Sequence, residues 1–295
     1  MSAKAFAPAA DLGTEDGPLL LDEPGLYDIP EQAYHRDPLR HLGGSLSSSI
    51  AKKLISPSCP AIARWEMDHP VHKDVFDLGS AAHKLVLGAG SDLVVVEADS
   101  WRGKAAQDAK ASARAAGLVP LLPDDMAAAV AMCDAIHGHP IAGALLDPCA
   151  FLPERSIMWQ DSGTWLRARP DALSLDGRPL IIDLKTTPST EPNALIKSVY
   201  NFGYYMQATW YLEALRTLGI DDATFLFVFV QSAPPHLVTV GQLDQPALDE
   251  GAVRNRQAID VWNRCRATDS WPGYCDDDIA LIGLPRWAIT NTREY

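Results

Sequence analysis

TWLRARPDALSLDGRPLIIDLKTT, residues 164–187, decides how the chain is read. Apolar and polar residues alternate through Leu175, Asp176 and Gly177 form a tight-turn pair, and residues 180–182 are wholly apolar. The pattern predicts an antiparallel hairpin, with one long strand through Leu175, a turn centred on Gly177 and a second strand closing at Thr187. Side chains alternate along a strand, so Asp183 and Lys185 share a face, and a turn centred on Gly177 brings Asp171 directly opposite Asp183. Arg167 and Arg169 fall on the same face toward the Asp171 end, with Leu173, Leu175 and Ile181 toward the turn. Leu166, Ala168, Ala172, Leu180, Ile182 and Leu184 make an opposite face apolar enough to pack on a helix.

Two carboxylates facing each other across a ladder repel, and a fold keeps them only with compensation. A divalent cation supplies it: few carboxylates and open water positions suit magnesium or manganese, which acidifies a water and stabilises charge on a phosphoryl oxygen. Lys185 on the same face suits a neutraliser of developing negative charge. Arg167 and Arg169 add local positive charge beside a phosphate. The alternative is that Asp171 and Asp183 only form ion pairs with Arg169 and Lys185. Pro170 before one acid and an apolar run before the other put both at the ends of buried strands, where charge needs a reason.

Around the hairpin, residues 1–44 are rich in Pro, Gly, Asp and Ala and read as a mobile arm, with an ordered piece at GLYDIPEQAYHRD; residues 45–295 read as one catalytic domain. Short helices are expected at SSSIAKKLIS and on to Met67, then a turn at His69 and Pro70, a helix through DLGSAAHKLVLGAG, a strand LVVVEA, and helices over about 103–116 and 124–137. After the hairpin, NALIKSVYNFGYYMQATWYLEALRTLG is helical and interruptible at Gly203, with Gly219 as its stop. ATFLFVFVQ predicts a strand buried on both faces, followed by a strand HLVTVG and a helix over about 246–268. Helices, an antiparallel meander, then helix, strand, strand and helix predict an α/β (α+β) fold: a central mixed sheet flanked by helices, with a helical N-terminal elaboration.

The formal charge of −13 opposes a general polyanion-binding surface, so any nucleic-acid contact is a local basic groove. Five scattered cysteines argue against a disulfide framework or zinc knuckle. No apolar run is long enough to span a bilayer and the N-terminus lacks a secretory pattern, so no membrane partner and a cytoplasmic location are expected.

These residues resemble the PD-(D/E)XK nuclease superfamily, within its RecB-like branch, and most closely the RecE-type (exodeoxyribonuclease VIII-like) phage and prophage exonucleases. Pro170-Asp171 followed by Asp183-Leu184-Lys185 resembles the core motif, and Gln207-Ala208-Thr209-Trp210-Tyr211 is similar to the branch's QxxxY motif. Gly79-Ser80-Ala81-Ala82-His83 looks like the helix whose histidine is a metal ligand there. SLSSSIAKKLISPSCPAIARW and LIGLPRW look like the family's flanks.

The resemblance implies a restriction-endonuclease-like core in which His83, Asp171, Asp183 and the Leu184 carbonyl hold Mg²⁺ or Mn²⁺ and Lys185 is catalytic. Glu154, in LPERSIMW, matches an upstream acid for a second metal or a water, while Gln207 and Tyr211 are expected on DNA beside the metal. Cys265 and Cys275 lack the close spacing of the branch's cluster-bearing members, so no iron-sulfur cluster is expected. The implied activity is 5′-to-3′ exonuclease action on double-stranded DNA ends in phage-type recombination, alongside a single-strand annealing protein and in a homo-oligomer. A catalytically idle DNA-end-binding module and an endonuclease of the superfamily are the competing expectations.

Overall fold

The computed structural model describes residues 19–69, 75–285 and 288–289. The expected turn residue Pro70 and the Arg286-Trp287 end of LIGLPRW lie outside the described residues. In chain order the elements are β1 (Gly25–Tyr27), α1 (Glu31–His35), β2 (Leu46–Ser47), α2 (Ser48–Ala51), α3 (Pro60–Asp68) and α4 (Val75–Leu87). Next come β3 (Leu93–Val95), α5 (Lys104–Ala115), β4 (Val119–Leu121), α6 (Pro123–Gly138) and α7 (Pro140–Leu145). The meander is β5 (Leu152–Pro153), β6 (Ser156–Asp161), β7 (Thr164–Ala168), β8 (Ala172–Ser174) and β9 (Leu180–Thr187). α8 (Pro192–Asn201), α9 (Tyr204–Thr217), β10 (Thr224–Gln231), β11 (Val238–Gly241) and α10 (Gln245–Thr268) follow.

The central sheet runs β11-β10-β9-β8-β5, parallel only between β9 and β10, and a second sheet runs β1-β6-β7-β2. β10 is buried on both faces, as its composition predicts. Phe225, Phe227 and Phe229 pack with Tyr211, Leu215 and Trp262 from α9 and α10. Val228 and Val230 pack with Ala82, Val86, Met132 and Ile136 from α4 and α6. The result is a mixed α/β fold with helices on both faces of the central sheet. No described helix is long and apolar enough to cross a membrane.

The hairpin register is the expected one: Ala172 pairs with Ile182, Leu173 with Ile181 and Ser174 with Leu180, so one further step sets Asp171 against Asp183. The single long strand through Leu175 is not what forms. Pro170 has no N–H to give a ladder, and between Ala168 and Ala172 the chain leaves one sheet and enters the other. The crossing reverses the parity. Leu166 and Ala168, expected on the face of Ala172, Ile182 and Leu184, instead share a core with Leu173 and Ile181. α9 secures the crossing, since Trp210 Nε1 donates to the Arg167 carbonyl at 3.0 Å and the Tyr211 hydroxyl to the Arg169 carbonyl at 3.2 Å.

Gly203 separates α8 from α9 at φ 62°, a left-handed backbone that favours glycine, and a Cβ there would lie 2.7 Å from Lys52 Cδ. The described part of the expected N-terminal arm is ordered. β1 pairs antiparallel with β6, and Leu21, Ile29, Tyr34 and Leu39 are buried against Met158 and Trp165. Each such side chain contributes roughly 1.5–3 kcal/mol, and about 2–4 °C of melting temperature follows each kcal/mol in a domain of this size. A chain beginning at Ser45 is therefore expected to melt more than about 10 °C below the full chain by circular dichroism; equal melting temperatures would restore the mobile arm.

Candidate active site

A cavity of about 730 Å³ opens between α4, β9 and α9. His83, Glu154, Arg169, Asp171, Leu184, Lys185, Gln207 and Tyr211 all line it, so eight of the ten sequence-identified side chains or backbones converge. Asp183 lies just behind them at 0% exposure. Its Oδ1 accepts a 2.6 Å hydrogen bond from Gln207 Nε2, and its Oδ2 is ion-paired with Lys185 but accepts no hydrogen bond.

Asp171 sits where the crossing chain meets β9, with its Oδ2 accepting from the Leu184 amide at 2.8 Å. Burial, and then the neighbouring Asp183, push its carboxyl up to about 6. Burial alone would favour a neutral Lys185, but Asp183 and Asp171 outweigh it and hold the ammonium above its usual range. Lys185 is therefore a fixed positive charge at neutral pH, 5.2 Å over the Tyr204 ring.

His83 reaches the site because α4 packs closely on β9: a Cβ on Gly79 would lie 3.3 Å from Thr186 Oγ1. His83 Nε2 donates to the Leu184 carbonyl at 2.8 Å, which leaves Nδ1 3.6 Å from Asp171 Oδ2. Glu154, at φ 47°, accepts from Arg169 Nη2 at 2.9 Å, and its amide donates to the Asp171 carbonyl at 3.0 Å.

Three expectations change. Arg167 is outside the cavity, its Nη1 donating to the Ser45 carbonyl at 2.8 Å and lying 3.0 Å from Asp37, because β7 belongs to the other sheet. Arg169 lines the cavity, but its guanidinium is engaged by Ile29, Ser156 and Glu154. Gln207 and Tyr211, expected on DNA, are both buried with their donors turned inward onto Asp183 and the Arg169 carbonyl. Their geometry is that of positioning groups.

Lys52 was not singled out in the sequence. It lines the cavity from just beyond α2, and burial followed by Lys185 pushes its ammonium down to about 8. Nothing in SSSIAKKLIS signals this, because the contact is made across the fold, to the Phe202 carbonyl.

Among the described residues, no three His, Cys, Asp or Glu side chains form a metal-binding group as they stand. The donor chemistry nevertheless fits a hard divalent cation. The buried Asp183 carboxylate, the part-buried Asp171, a backbone carbonyl and an imidazole meet, the Asp171 carboxyl is pushed up by its desolvation and then by its neighbour, and Asp183 Oδ2 is held only by the Lys185 ammonium.

Residues 47–280 match a PDDEXK-like domain of unknown function (DUF3799). The chain belongs to this family. Among solved structures, it is similar to one described as "Putative exonuclease" from Eubacterium rectale, with 12% identity, a TM-score of 0.62 and coverage of 88% of this chain and 96% of that one. A phage related exonuclease from Haemophilus somnus 129PT matches at 13% identity over 78% of this chain and all of that one, with a TM-score of 0.34. No curated protein matches the chain by sequence. The family and the first likeness establish a PDDEXK-type nuclease fold.

Asp171 binds its proton more tightly folded than unfolded, so protonation favours the folded chain. In a chelator, the stability of wild type relative to Asp171→Asn is expected to fall as pH rises from about 4 through about 6. Urea midpoints for both proteins across that range test this; a constant difference would contradict the desolvated, carboxylate-crowded environment.

Proposed function

We propose that this member of the PDDEXK-like family is a metal-dependent deoxyribonuclease of the RecB-like branch that hydrolyses phosphodiester bonds at double-stranded DNA ends. The observation that carries the proposal is the meeting of Asp171, the Asp183–Lys185 ion pair and the His83–Leu184 carbonyl contact at one cavity. Ion pairing alone would leave no reason for an imidazole from α4 to abut the same backbone carbonyl.

A divalent ion held by Asp171, Asp183, the Leu184 carbonyl and His83 would supply Lewis acidity to a phosphoryl oxygen and acidify a water. Lys185, charged at neutral pH, neutralises negative charge as it develops on the phosphate. Gln207 orients Asp183 through its 2.6 Å hydrogen bond, and Tyr211 holds the strand crossing that carries Asp171. Glu154 steadies the Arg169 guanidinium and the Asp171 backbone. The 5′-to-3′ polarity, a role in phage-type recombination, a single-strand annealing partner and a homo-oligomer rest on the resemblance to RecE-type exonucleases.

Substitution should separate metal binding from chemistry. Asp183→Asn is expected to abolish hydrolysis of a labelled linear duplex and weaken Mn²⁺ binding by calorimetry at least tenfold. Asparagine is preferred to alanine because it keeps the Gln207 contact beside the half-buried Lys185. Lys185→Ala is expected to lose at least roughly 100-fold in hydrolysis while still binding Mn²⁺. Wild-type binding of linear duplex without degradation in Mg²⁺ or Mn²⁺ would establish an idle end-binding module; nicking of closed circular DNA would establish an endonuclease.

Gln207→Ala distinguishes a positioning amide from a DNA contact. It is expected to weaken Mn²⁺ affinity in the absence of DNA, with partial recovery in Gln207→Asn; unchanged metal affinity with weakened DNA binding would return Gln207 to the DNA.

A further inference from the structure

The rim of the cavity carries an aromatic side chain that the hydrolytic site does not use. Phe202 is 60% exposed although it stands next to a cavity lined by Lys52, Lys185 and Asp171. Its backbone is fixed at both ends. The amide donates to the Ser198 carbonyl at 3.0 Å, and the carbonyl accepts from Lys52 Nζ at 3.2 Å, in the break between α8 and α9. The ring is backed on one side by Tyr204, with centroids 5.6 Å apart and planes 28° from parallel. Tyr204 in turn lies under the Lys185 ammonium and against Phe227 and Phe229 of the core. A continuous aromatic path thus leads from Lys185 to solvent, and Phe202 is its open end.

Exposing a large apolar ring is unfavourable, and its place beside Lys52, with Lys185 beyond Tyr204, narrows what covers it. The chain has a formal charge of −13, yet Lys52 and Lys185 put positive charge at this mouth. A strand whose phosphate lies at Lys185 would carry its base beside this path. Bases stack on aromatic side chains whatever their sequence, for roughly 1–3 kcal/mol each. A base paired within a duplex has both faces covered by its neighbours and its edge by its partner, so only an unpaired base can lie on the ring.

We propose that Phe202, backed by Tyr204, is a stacking platform for an unpaired nucleobase next to a phosphate at Lys185, beside the cation that Asp171 and Asp183 would hold. The substrate at the site is then a single strand or a frayed duplex end. This rests on the nuclease proposal above and assigns its substrate form.

The test is anisotropy of fluorescein-labelled oligothymidylate on the full-length chain in Ca²⁺, beside a sugar-phosphate tract of the same length without bases. Phe202→Ala is expected to weaken oligothymidylate binding roughly 5- to 150-fold, the stacking energy of one base, and to leave the abasic tract unchanged. Phe202→Trp should restore affinity. Hydrolysis in Mg²⁺ should favour mismatched over paired duplex ends in wild type, and that preference should disappear in Phe202→Ala.

Unchanged oligothymidylate affinity in Phe202→Ala, or an equal loss on the abasic tract, would overturn the platform. So would a change in sedimentation from oligomer to monomer with nucleotide affinity intact, which would make the ring a contact between copies. Wild type that binds the oligomer but hydrolyses nothing would overturn the nuclease proposal, and the affinity comparison would still decide the platform by itself.

Discussion

Asp171 and Asp183 face each other at the point where a chain crosses between two sheets and meets β9, whose residues 181–184 are buried. Burial and mutual repulsion both disfavour two charges there, and the surrounding structure answers that cost in detail. The Leu184 amide holds one carboxylate, Gln207 and Lys185 hold the other, and His83 caps the carbonyl between them. Lys185 and the Leu184 amide belong to the strand that carries Asp183, but Gln207 and His83 arrive from α9 and α4. α4, β9 and α9 must all be in place before the pair is tolerated.

The same three elements explain why the fold and the site are inseparable. β9 is packed by α9 on one face and by α4 and α6 on the other, and the aromatic and β-branched faces of β10 complete both cores. α9 contributes twice, fixing Asp183 through Gln207 and the sheet crossing through Trp210 and Tyr211. A helix that holds both the acid and the backbone feeding the other acid sets their relation with little freedom. Such preorganisation is what electrostatic stabilisation of a phosphoryl-transfer transition state requires.

Much of this was legible in the sequence. With the two-residue period of strands, a turn centred on Gly177 puts Asp171 opposite Asp183, and the register that forms, with residues 175–179 as the connection, is that one. ATFLFVFVQ announced a strand covered on both faces, and Gly203 a helix break. The crossing at Pro170 was not legible, because alternation continues through it unbroken while the chain changes sheets; Arg167 was misplaced for that reason. β1 and α1 fall within the ordered piece expected at GLYDIPEQAYHRD, whereas Leu21 and Leu39, buried to either side of it, belong to no periodic run, so the rest of the described N-terminal segment read as mobile. Whether Gln207 turned inward or outward, and that Lys52 would reach the mouth of the site, depended on contacts made between residues far apart in the chain.

The central claim is that the carboxylate pair exists to bind a divalent cation. Crystals of the full chain soaked in Mn²⁺ and measured at the manganese edge test it most directly. The account predicts an anomalous peak within coordination distance of Asp171, Asp183 and the Leu184 carbonyl, with the Lys185 ammonium withdrawn from Asp183. Saturating Mn²⁺ with no peak there and the Lys185–Asp183 ion pair intact would contradict it.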